Sequence, residues 1–416
     1  MRYLLVSHIP WARGDRGTVL LDRLWAEDLR GLVSGVGPVT VAAPLVSSEE
    51  LKTWGPGVES LSPSDAVSFL ALPLRRRRLD LTFGTRVRAI LHKAVLNSDI
   101  VHTSHLFLPY IALYYAHDMA IRLGKKALFV VAEDFYDIQN WDWVRPAPNA
   151  VQHYRRARTL RRLDREVRKR VASASLTFLH TPAAVARYRD VAANAVAIRQ
   201  PVHEASDVIS AEEFGSKCQR LRVSKTLTLM TACRMVSLKG VAFVIRAIAL
   251  LKERGVPVRA VLYGSGLLLD DMRALARVLG VADIVELPGS ISPGSPIQEA
   301  LRKADIFLMP HLTTDFGRAF FDAMAAGTPV IAFRSIASQD TVRHGVDGLI
   351  APDADFEGLA ASVEQYNDDR EFLVRCASAA RARALVNTKS QWHRLRGQMI
   401  QDLFRFCPDH ITGLAK

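Results

Sequence analysis

The segment from Thr314 to Phe333, TDFGRAFFDAMAAGTPVIAF, combines residue types that suit the binding of an anion. Gly317 has no side chain, so its backbone can approach a ligand closely, and the pattern after it predicts an apolar helix that ends near Gly327. Free N–H groups at the start of a helix bind diphosphates well. The carboxylate of Asp322, about one turn into that helix, could accept hydrogen bonds from ribose hydroxyls. Packing of the helix alone is the simpler alternative for this pattern.

Two cations follow a predicted strand in TACRMVSLKG, where Leu227–Ala232 leads into Arg234 and Lys239. Positive charge at a strand end can neutralise a diphosphate leaving group, although an ordinary surface position fits each of these residues when it is considered alone. Gly264 and Gly266 lie in YGSGLLLDDM, between a predicted strand and a predicted helix. They predict a tight turn. The full G-x-G-x-x-G spacing is missing, so the pair is a poor indication of dinucleotide binding.

Short apolar, β-branched runs alternate with longer helical patterns along the chain, which is typical of parallel sheets covered by helices. The strands predicted in the first half are Tyr3–Val6, Val39–Ala43, Ile100–Thr103, Ala127–Ala132, Leu176–His180 and Val196–Ile198. After a polar stretch the pattern starts again, and the predicted strands are Leu227–Ala232, Arg259–Tyr263, Ile284–Leu287, Ile306–Met309, Pro329–Phe333 and Gly348–Ile350. We therefore predict an α/β protein with two doubly wound, Rossmann-like domains.

The length of 416 residues is consistent with two domains, because a single hydrophobic core stops growing at roughly 250–300 residues. We predict an N-terminal domain over residues 1–206 and a C-terminal domain over residues 207–386. A last helix over residues 387–416 is expected to pack back on the first domain. Ligands of doubly wound sheets bind beyond the carboxyl ends of the strands, so two such sheets that face each other would form an interdomain cleft for substrates.

The composition argues against several classes of protein. Hydrophobic residues make up 49% and charged residues 23% of the chain, as in ordinary globular proteins. No apolar run approaches the ~20 residues that span a bilayer, and the first residues do not form a signal peptide pattern. The four cysteines lack CxxC spacing, which argues against a zinc site and against a disulfide framework. These features predict a cytoplasmic protein without a structural metal.

The net charge of +13 predicts an anionic partner. Arg75–Arg78 are flanked by leucines, a pattern that favours contact with an anionic membrane surface. A second basic run extends from Arg155 to Arg170, where Leu160, Leu163 and Val167 recur at helical spacing. This run is either an anion-binding face or an amphipathic connector whose charged side is solvated. We expect no nucleic-acid partner.

Taken in order, the motifs of residues 225–370 resemble those of the retaining glycosyltransferases of the group-1 type, often called family 4, which have the GT-B fold. The first half resembles the family more faintly, through the Gly14–Gly17 loop and the basic helix. Besides the Gly317 segment, the matches are Cys233-Arg234 with Lys239-Gly240 (GR…KG), Gly264–Gly266 (a GxGP-like turn), Leu287–Ile291 (an FLGxV-like loop), Ala304–Pro310 (the ADIFLMP strand) and Val342–Val363 (the stretch after the donor site).

The resemblance implies that the C-terminal domain, residues 207–386, binds a nucleoside diphosphate sugar and that the N-terminal domain, residues 1–206, binds the acceptor. Arg234 and Lys239 would bind the donor phosphates together with backbone near Gly317, Asp322 would hold the ribose, and the base would lie against residues 288–291. A first-domain glycine loop would approach the diphosphate or the sugar. The full set of implied donor-binding residues is Gly14, Gly17, Gly264, Pro288, Gly289, Ile291, Gly317, Arg318, Ala319, Phe320 and Asp322.

Two positions depart from the family pattern. The family has two glutamates eight positions apart around the FG pair, whereas this chain has Thr314 first, with Asp315 beside it, and Asp322 second. Asp315 is the candidate to replace the first glutamate. Many relatives carry a histidine where this chain has VAEDFYD, which places Glu133 or Ala132 there, with Asp134 beside it. Glu133 would alter the electric field beside the anomeric carbon and accept a sugar hydroxyl, or else Glu133 and Asp134 cap the following loop.

Two further features of the first half leave alternatives open. His102 and His105 lie at an earlier strand end, where they either face the cleft or have a structural role. The loop EDFYDIQNWDWVRP is rich in aromatic and acidic residues. It is either an acceptor surface, since flat rings suit sugar faces, or packing between helices.

The resemblance implies transfer of a hexose from a nucleoside diphosphate sugar to an acceptor hydroxyl with retention, an EC 2.4 activity. A UDP-sugar is favoured over a GDP-sugar, and the catalytic candidates are Glu133, Asp315, Arg234 and Lys239. Because cations would stabilise the leaving diphosphate, we expect no cofactor and no metal ion. The expected acceptor is a sugar or a lipid-linked glycan of a bacterial surface, used in the cytoplasm or at the inner face of the membrane. The alternatives are a sugar-nucleotide epimerase of the same fold and a catalytically inactive sugar-nucleotide-binding subunit.

Overall fold

The computed structural model describes residues 1–53, 57–62, 66–74, 83–105, 112–199, 201, 203–292, 294–312, 317 and 319–405, without the side chains of residues 141 and 142. Contacts between residues divide the chain into two compact units. The N-terminal unit comprises Met1–Tyr136, Asn149–Arg199 and the segment from Trp392 onward. The C-terminal unit comprises Asp137–Pro148 and Gln200–Gln391.

The described part of the N-terminal unit has one parallel and one small antiparallel sheet. Its strands are β1 Tyr3–Val6, β2 Ala12–Arg13, β3 Val19–Asp22, β4 Val39–Pro44, β5 Val58–Leu61, β6 Val67–Leu72, β7 Ile100–Ser104, β8 Lys126–Val131, β9 Leu176–Leu179 and β10 Ala195–Ala197. Seven strands form a parallel sheet in the order β10-β9-β8-β7-β1-β4-β6. Strands β2, β3 and β5 form the antiparallel sheet.

A second parallel sheet forms the centre of the C-terminal unit. Its strands are β11 Leu227–Ala232, β12 Val258–Tyr263, β13 Val285–Gly289, β14 Ile306–Met309, β15 Val330–Phe333 and β16 Gly348–Ala351. Their order is β13-β12-β11-β14-β15-β16, with parallel pairing throughout. Strands β11 and β14 are neighbours, so the loops that follow them leave the same edge of the sheet.

Helices connect the strands of both sheets. They are α1 Arg23–Val36, α2 Ser48–Leu51, α3 Phe83–Leu96, α4 Ala112–Arg122, α5 Phe135–Gln139, α6 Ala150–Ser173, α7 Pro182–Tyr188, α8 Ala211–Val223, α9 Val241–Glu253, α10 Leu269–Val278, α11 Ser295–Lys303, α12 Ala319–Ala325, α13 Ile336–Thr341, α14 Phe356–Asp368, α15 Arg370–Leu385 and α16 Lys389–Arg405. Among the described helices, none is both long enough and apolar enough to cross a bilayer.

Continuous burial explains why the central segments form parallel strands. All four residues of β14, IFLM, are buried, and so are the last five residues of β8. Strands covered by helices on both faces need such uninterrupted apolar runs. The strands predicted from the sequence are confirmed, with ends shifted by no more than one or two residues, and so is the α/β fold with two Rossmann-like halves.

Helix α16 packs on α1 through two glycines. A Cβ added to Gly397 would lie 2.6 Å from the Cα of Gly35, so neither position leaves room for a side chain. Beside this crossing, Arg396 donates a hydrogen bond to Oδ1 of Asp28 at 2.9 Å. The Gln401 amide donates to the carbonyl oxygen of Gly35 at 2.6 Å. The buried side chains that α16 adds to the N-terminal core are Met399, Ile400 and Leu403.

Replacing Gly397 by alanine should destabilise the N-terminal unit, because the new Cβ would meet the backbone of α1, which cannot rotate away as a side chain can. We expect a loss of roughly 1–3 kcal/mol in the free energy of unfolding, measured by urea denaturation. Gly215→Ala in α8 is the matched control, since nothing lies within 4 Å of a Cβ added there. That change should stabilise by about 0.5–1 kcal/mol. Equal stabilities of the two variants would contradict the close helix crossing.

Candidate functional site

Two loops meet at the carboxyl edge of the C-terminal sheet. The chain leaves β11 through Arg234, which is exposed, and makes a short 3-10 turn before Gly240. Gly240 has φ of +64°, and a Cβ added to it would lie 2.0 Å from the carbonyl oxygen of Pro310, which follows β14. The Leu312 N–H donates to the carbonyl oxygen of Leu238 at 2.9 Å. These contacts hold the loop after β11 against the loop after β14.

Lys239 is buried beside His311, a residue that the sequence analysis did not select. Lys239 is 6% exposed, and its Nζ donates a hydrogen bond to Nδ1 of His311 over 3.4 Å. The ring also adjoins Gly317, because a Cβ added there would lie 3.4 Å from Cε1 of His311. Burial, followed by the charges of Lys239 and Arg234, holds the pKa of His311 well below its usual value of 6.5. The ring is therefore neutral at neutral pH.

The turn with Gly264 and Gly266 packs on the loop after β11. These glycines have φ of +146° and +148°, a region that other residues rarely adopt. A Cβ added to Gly264 would lie 1.8 Å from the carbonyl oxygen of Cys233, and one added to Gly266 would lie 2.5 Å from that of Met235. Both positions therefore require glycine if the loops after β11 and β12 are to touch.

The end of β13 continues the same edge. The Gly264 N–H donates to the carbonyl oxygen of Gly289 at 2.8 Å, and Gly289 has φ of +92°. Pro288 is exposed, and Ile291 is half-buried. The structure thus brings Arg234 and Lys239, the glycine turn and the predicted base-binding residues to one edge formed by three neighbouring strands.

Helix α12 presents Asp322 from its first turn. Asp322 and Ala319 are half-buried, whereas Phe320 is buried in the core. The Phe320 N–H donates to the carbonyl oxygen of Gly317 at 3.1 Å, so this N–H group is already engaged. Gly317 lies against the end of the Met309 side chain. Two further residues of the predicted site, Asp315 and Arg318, lie outside the described residues.

In the N-terminal unit, Gly14 and Gly17 belong to the turn that joins β2 to β3. The Gly14 N–H donates to the carbonyl oxygen of Thr18 at 3.0 Å, and Gly17 has φ of +79°. A Cβ added to Gly14 would lie 2.4 Å from Oγ1 of Thr18. The conformation of the hairpin alone therefore explains why both positions are occupied by glycine.

Glu133 and Asp134 follow β8 and differ in environment. Glu133 is exposed, and Asp134 is buried. Arg187 of α7 donates to both oxygens of Asp134, at 2.8 Å from Nε and 3.1 Å from Nη2. Its guanidinium also lies 4.4 Å from the centre of the Tyr136 ring. Asp134 thus anchors the loop after β8, whereas Glu133 lies at the surface.

Three histidines, His8, His105 and His180, follow β1, β7 and β9 at the same edge of the N-terminal sheet. The sequence analysis singled out His105 but not His8 or His180, although each follows an apolar strand. Burial lowers the pKa of His105 and of His180 to about 4. Neutral imidazole rings carry one donor and one acceptor, which suits them to hydroxyl groups.

His102 lies inside β7 and has a structural role, which is one of the two alternatives that the sequence leaves open. Its Nδ1 is hydrogen-bonded to the hydroxyl of Tyr3 over 2.7 Å. Burial, followed by the charge of Arg396, lowers the pKa of His102 to about 3. Arg396 also lowers the pKa of His180, so α16 helps to keep this region of the sheet edge neutral.

Because His105 and His180 are neutral in the folded protein, we expect the free energy of unfolding to decrease as the pH falls from 6.5 towards 4. The unfolded chain takes up protons near pH 6.5, whereas folded His105 and His180 do so near pH 4, so the unfolded state binds more protons in between. Urea denaturation at several pH values measures this slope. His180→Gln should flatten it, and His153→Gln, at an exposed position of α6, should leave it unchanged. Equal slopes for wild type and His180→Gln would contradict the prediction.

Comparison with known proteins finds sequence relatives that match somewhat less than half of the chain. Amylovoran biosynthesis glycosyltransferase AmsK of Erwinia amylovora is 30% identical over 203 residues, which are 47% of this chain and 49% of the relative. GDP-mannose-dependent alpha-(1-6)-phosphatidylinositol monomannoside mannosyltransferase of Mycobacterium tuberculosis is 31% identical over 189 residues, which are 44% of this chain and 48% of the relative. The chain thus spans about half the length of these relatives.

Solved structures resemble the chain over nearly its whole length. HepE of Anabaena in complex with UDP and glucose has a TM-score of 0.64 at 16% identity, with 97% of this chain and 99% of HepE covered. Sucrose-phosphate synthase of Thermosynechococcus elongatus has a TM-score of 0.66 at 16% identity, with the same coverage. The family model described as glycosyl transferases group 1 matches residues 226–369. The chain therefore has the GT-B fold, and its residues 226–369 match the family model of group 1 glycosyl transferases.

Proposed function

We propose that this protein is a glycosyltransferase that moves a hexose from a nucleoside diphosphate sugar to an acceptor hydroxyl. The observation that carries the proposal is the pair of cations on the loop after β11, exposed Arg234 and buried Lys239, inside the region that matches the family. The carboxyl edge of a parallel sheet is where nucleotides bind in related architectures. Relatives named as glycosyltransferases give further support.

Arg234 and Lys239 would bind the diphosphate. Lys239 is largely shielded from water, so its attraction to a phosphate oxygen is stronger than that of a solvated surface lysine. Negative charge grows on the departing diphosphate as the bond to the sugar breaks, and the two cations then stabilise the transition state more than the bound donor. We therefore propose that transfer proceeds without a metal ion.

The remaining parts of the donor would lie along the same edge. The base would contact Pro288, Gly289 and Ile291 beside the glycine turn, and Asp322 would accept hydrogen bonds from the ribose. Backbone N–H groups of Gly317 and Ala319 would complete the phosphate contacts. Asp315, as the group that contacts the donor sugar, and Arg318 are proposed from the sequence resemblance alone.

The proposed donor is a UDP-sugar, and the proposed stereochemistry is retention. The structure of HepE with UDP and glucose supports the choice of base, while the relatives named as GDP-mannose-dependent make GDP-sugars the alternative to test. In a retaining transfer, the acceptor oxygen bonds to the anomeric carbon on the face that the diphosphate leaves. The acceptor proton passes to an oxygen of that diphosphate, so no separate base is needed.

The edge of the N-terminal sheet has the chemistry for an acceptor. Exposed Glu133 would accept a hydrogen bond from a sugar hydroxyl, and the neutral rings of His105 and His180 can donate or accept. The proposed pathway is bacterial surface glycan or glycolipid synthesis at the cytoplasmic face of the membrane. The names of the two relatives support the synthesis of a glycan or a glycolipid. The proposed membrane contact, Arg75–Arg78, lies outside the described residues.

A panel of UDP and GDP sugars should identify a donor that raises the melting temperature, because a ligand that binds only the folded state stabilises it. Lys239→Met should weaken donor binding roughly 10–100-fold, since it removes a hydrogen bond to a charged group. Lys303→Met, at an exposed position of α11, is the matched control and should bind like wild type. Equal affinity in Lys239→Met and Lys303→Met would contradict the proposed phosphate site.

Product analysis with the identified donor separates the alternatives. Transfer that keeps the anomeric configuration and survives EDTA is the expected result, and an inverted product would contradict retention. Epimerised donor without an acceptor would indicate an epimerase. Donor binding without transfer to any glycan or glycolipid acceptor would indicate an inactive binding subunit.

A further inference from the structure

The ring of His311 lies between Lys239 and Gly317, two parts of the proposed phosphate site. Its Nδ1 lies 3.4 Å from the Nζ of Lys239, and its Cε1 lies near the position that a side chain on Gly317 would take. Both Lys239 and Gly317 were selected from the sequence for phosphate binding, whereas His311 was not. The ring therefore contacts the buried cation on one side and the glycine on the other.

The direction of the hydrogen bond follows from chemistry. An ammonium group has only donors, so Nδ1 of His311 must accept, and the ring proton must lie on Nε2. The low pKa of His311, caused first by burial and then by Lys239 and Arg234, agrees with a neutral ring at this place. An acceptor without charge can orient an ammonium group without itself neutralising it.

The backbone on both sides of this pair is fixed. Gly240 follows Lys239 and touches the carbonyl oxygen of Pro310, which precedes His311, and the Leu312 N–H is bonded to Leu238. Lys239 itself is buried, so its side chain has little freedom to choose another direction. The loop contacts and the hydrogen bond together define one position for the ammonium group.

We propose that His311 is a positioning residue that holds the Lys239 ammonium group for the diphosphate of a nucleotide ligand. The proposal rests on the proposed function of the site and adds a residue to it. His311 would act through Lys239, so its effect should disappear when the lysine is removed. A double-mutant cycle measures this dependence.

Isothermal titration with UDP and with GDP tests the proposal. His311→Leu should weaken binding roughly tenfold, because the ammonium group loses its acceptor. His311→Asn should stay close to wild type, since its Oδ1 can take the place of Nδ1 as acceptor. In a Lys239→Met background, His311→Leu should have no further effect. Melting temperatures show that each variant is folded.

Several results would overturn the proposal. Wild-type affinity in His311→Leu would show that the ring does not position the lysine. An undiminished effect of His311→Leu in the Lys239→Met background would show a direct contact or a general structural role. If wild type binds neither UDP nor GDP, the proposed function itself fails, and this outcome is distinct from the other two.

A separate observation concerns the surface of helix α6. One face of this helix is exposed along about 27 Å, five helical turns. Val151 and Tyr154 at its start are 66% and 60% exposed, and cations follow them along the same face. We define the cationic face by Val151, Tyr154, Arg155, Arg158, Arg162, Arg165 and Lys169.

The acidic residues of α6 form hydrogen bonds with side chains outside this face. The hydrogen bond from Arg170 lowers the pKa of Glu166, although the charges of Lys169 and Arg162 also lower it. Asp164 accepts a hydrogen bond from the hydroxyl of Tyr188 at 3.0 Å, and Glu166 is bonded to Arg170 at 2.8 Å. Within the described chain, no carboxylate forms an ion pair with Arg155, Arg158 or Arg165. Residues 150–159 of α6 include no buried side chain, so packing among the described residues does not explain why Val151 and Tyr154 carry large hydrophobic groups.

We infer that the cationic face docks on an anionic lipid surface. Arginine and lysine are attracted to anionic headgroups, and tyrosine and valine can enter the interface beside them. A nucleic acid would use the cations but would leave the apolar pair without a role. This inference is independent of Arg75–Arg78 and of the identity of the donor.

Sedimentation with vesicles tests the lipid surface directly. The whole protein should bind vesicles of phosphatidylcholine with phosphatidylglycerol and should not bind phosphatidylcholine alone. The triple change Arg155→Glu, Arg158→Glu and Arg162→Glu should weaken binding at least about 100-fold. The charge-matched control is Arg246→Glu, Arg277→Glu and Arg334→Glu, at exposed positions of the C-terminal unit.

Val151→Ser with Tyr154→Ser should weaken vesicle binding while leaving its salt dependence in place, because this change removes only the apolar contact. Equal losses in the α6 variant and in the charge-matched control would overturn the inference, since they would indicate a response to net charge alone. Tight binding of duplex DNA without binding to the anionic vesicles would overturn it as well.

Discussion

The carboxyl edge of the C-terminal sheet depends on contacts between backbones that only glycine permits. A Cβ added to Gly264 or Gly240 would lie 2.0 Å or less from a carbonyl oxygen of another loop, and one added to Gly266 would lie 2.5 Å from another. A carbonyl oxygen in a hydrogen-bonded loop cannot rotate away as the end of a side chain can. With any other residue the loops after β11, β12 and β14 would have to separate, and the side chains that they carry would separate with them.

This constraint has an electrostatic consequence at Lys239. Burial of an ammonium group costs free energy, which its hydrogen bonds and neighbouring charges must offset. The loop contacts keep the side chain in its place beside His311. The glycine contacts therefore bear on the proposed binding of a diphosphate, since they keep the cation where that proposal needs it.

The sequence was sufficient for the features that have a local pattern. Strands β11 and β14 follow from continuous apolar runs, and the cations after β11 follow from their place at a strand end. Strands β2 and β5 are short and carry exposed residues, so no periodic pattern marked them. His311 is a single residue without a spacing to recognise. The ion pair of Asp28 with Arg396 joins positions 368 apart, and only the packed helices bring them together. Asp315 and Arg318 remain predictions.

The two sheet edges differ in chemistry. This difference bears on why the family model matches residues 226–369, in the C-terminal unit. The C-terminal edge combines cations with glycine loops, which suits a charged diphosphate that many transferases share, and the family model covers residues 226–369 there. The N-terminal edge has neutral histidines, the anchored Asp134 and the exposed Glu133. Neutral donors and acceptors distinguish hydroxyl groups by geometry more than by charge. Under the proposed function, a shared pattern is therefore expected where the donor would bind and a fainter one where the acceptor would bind.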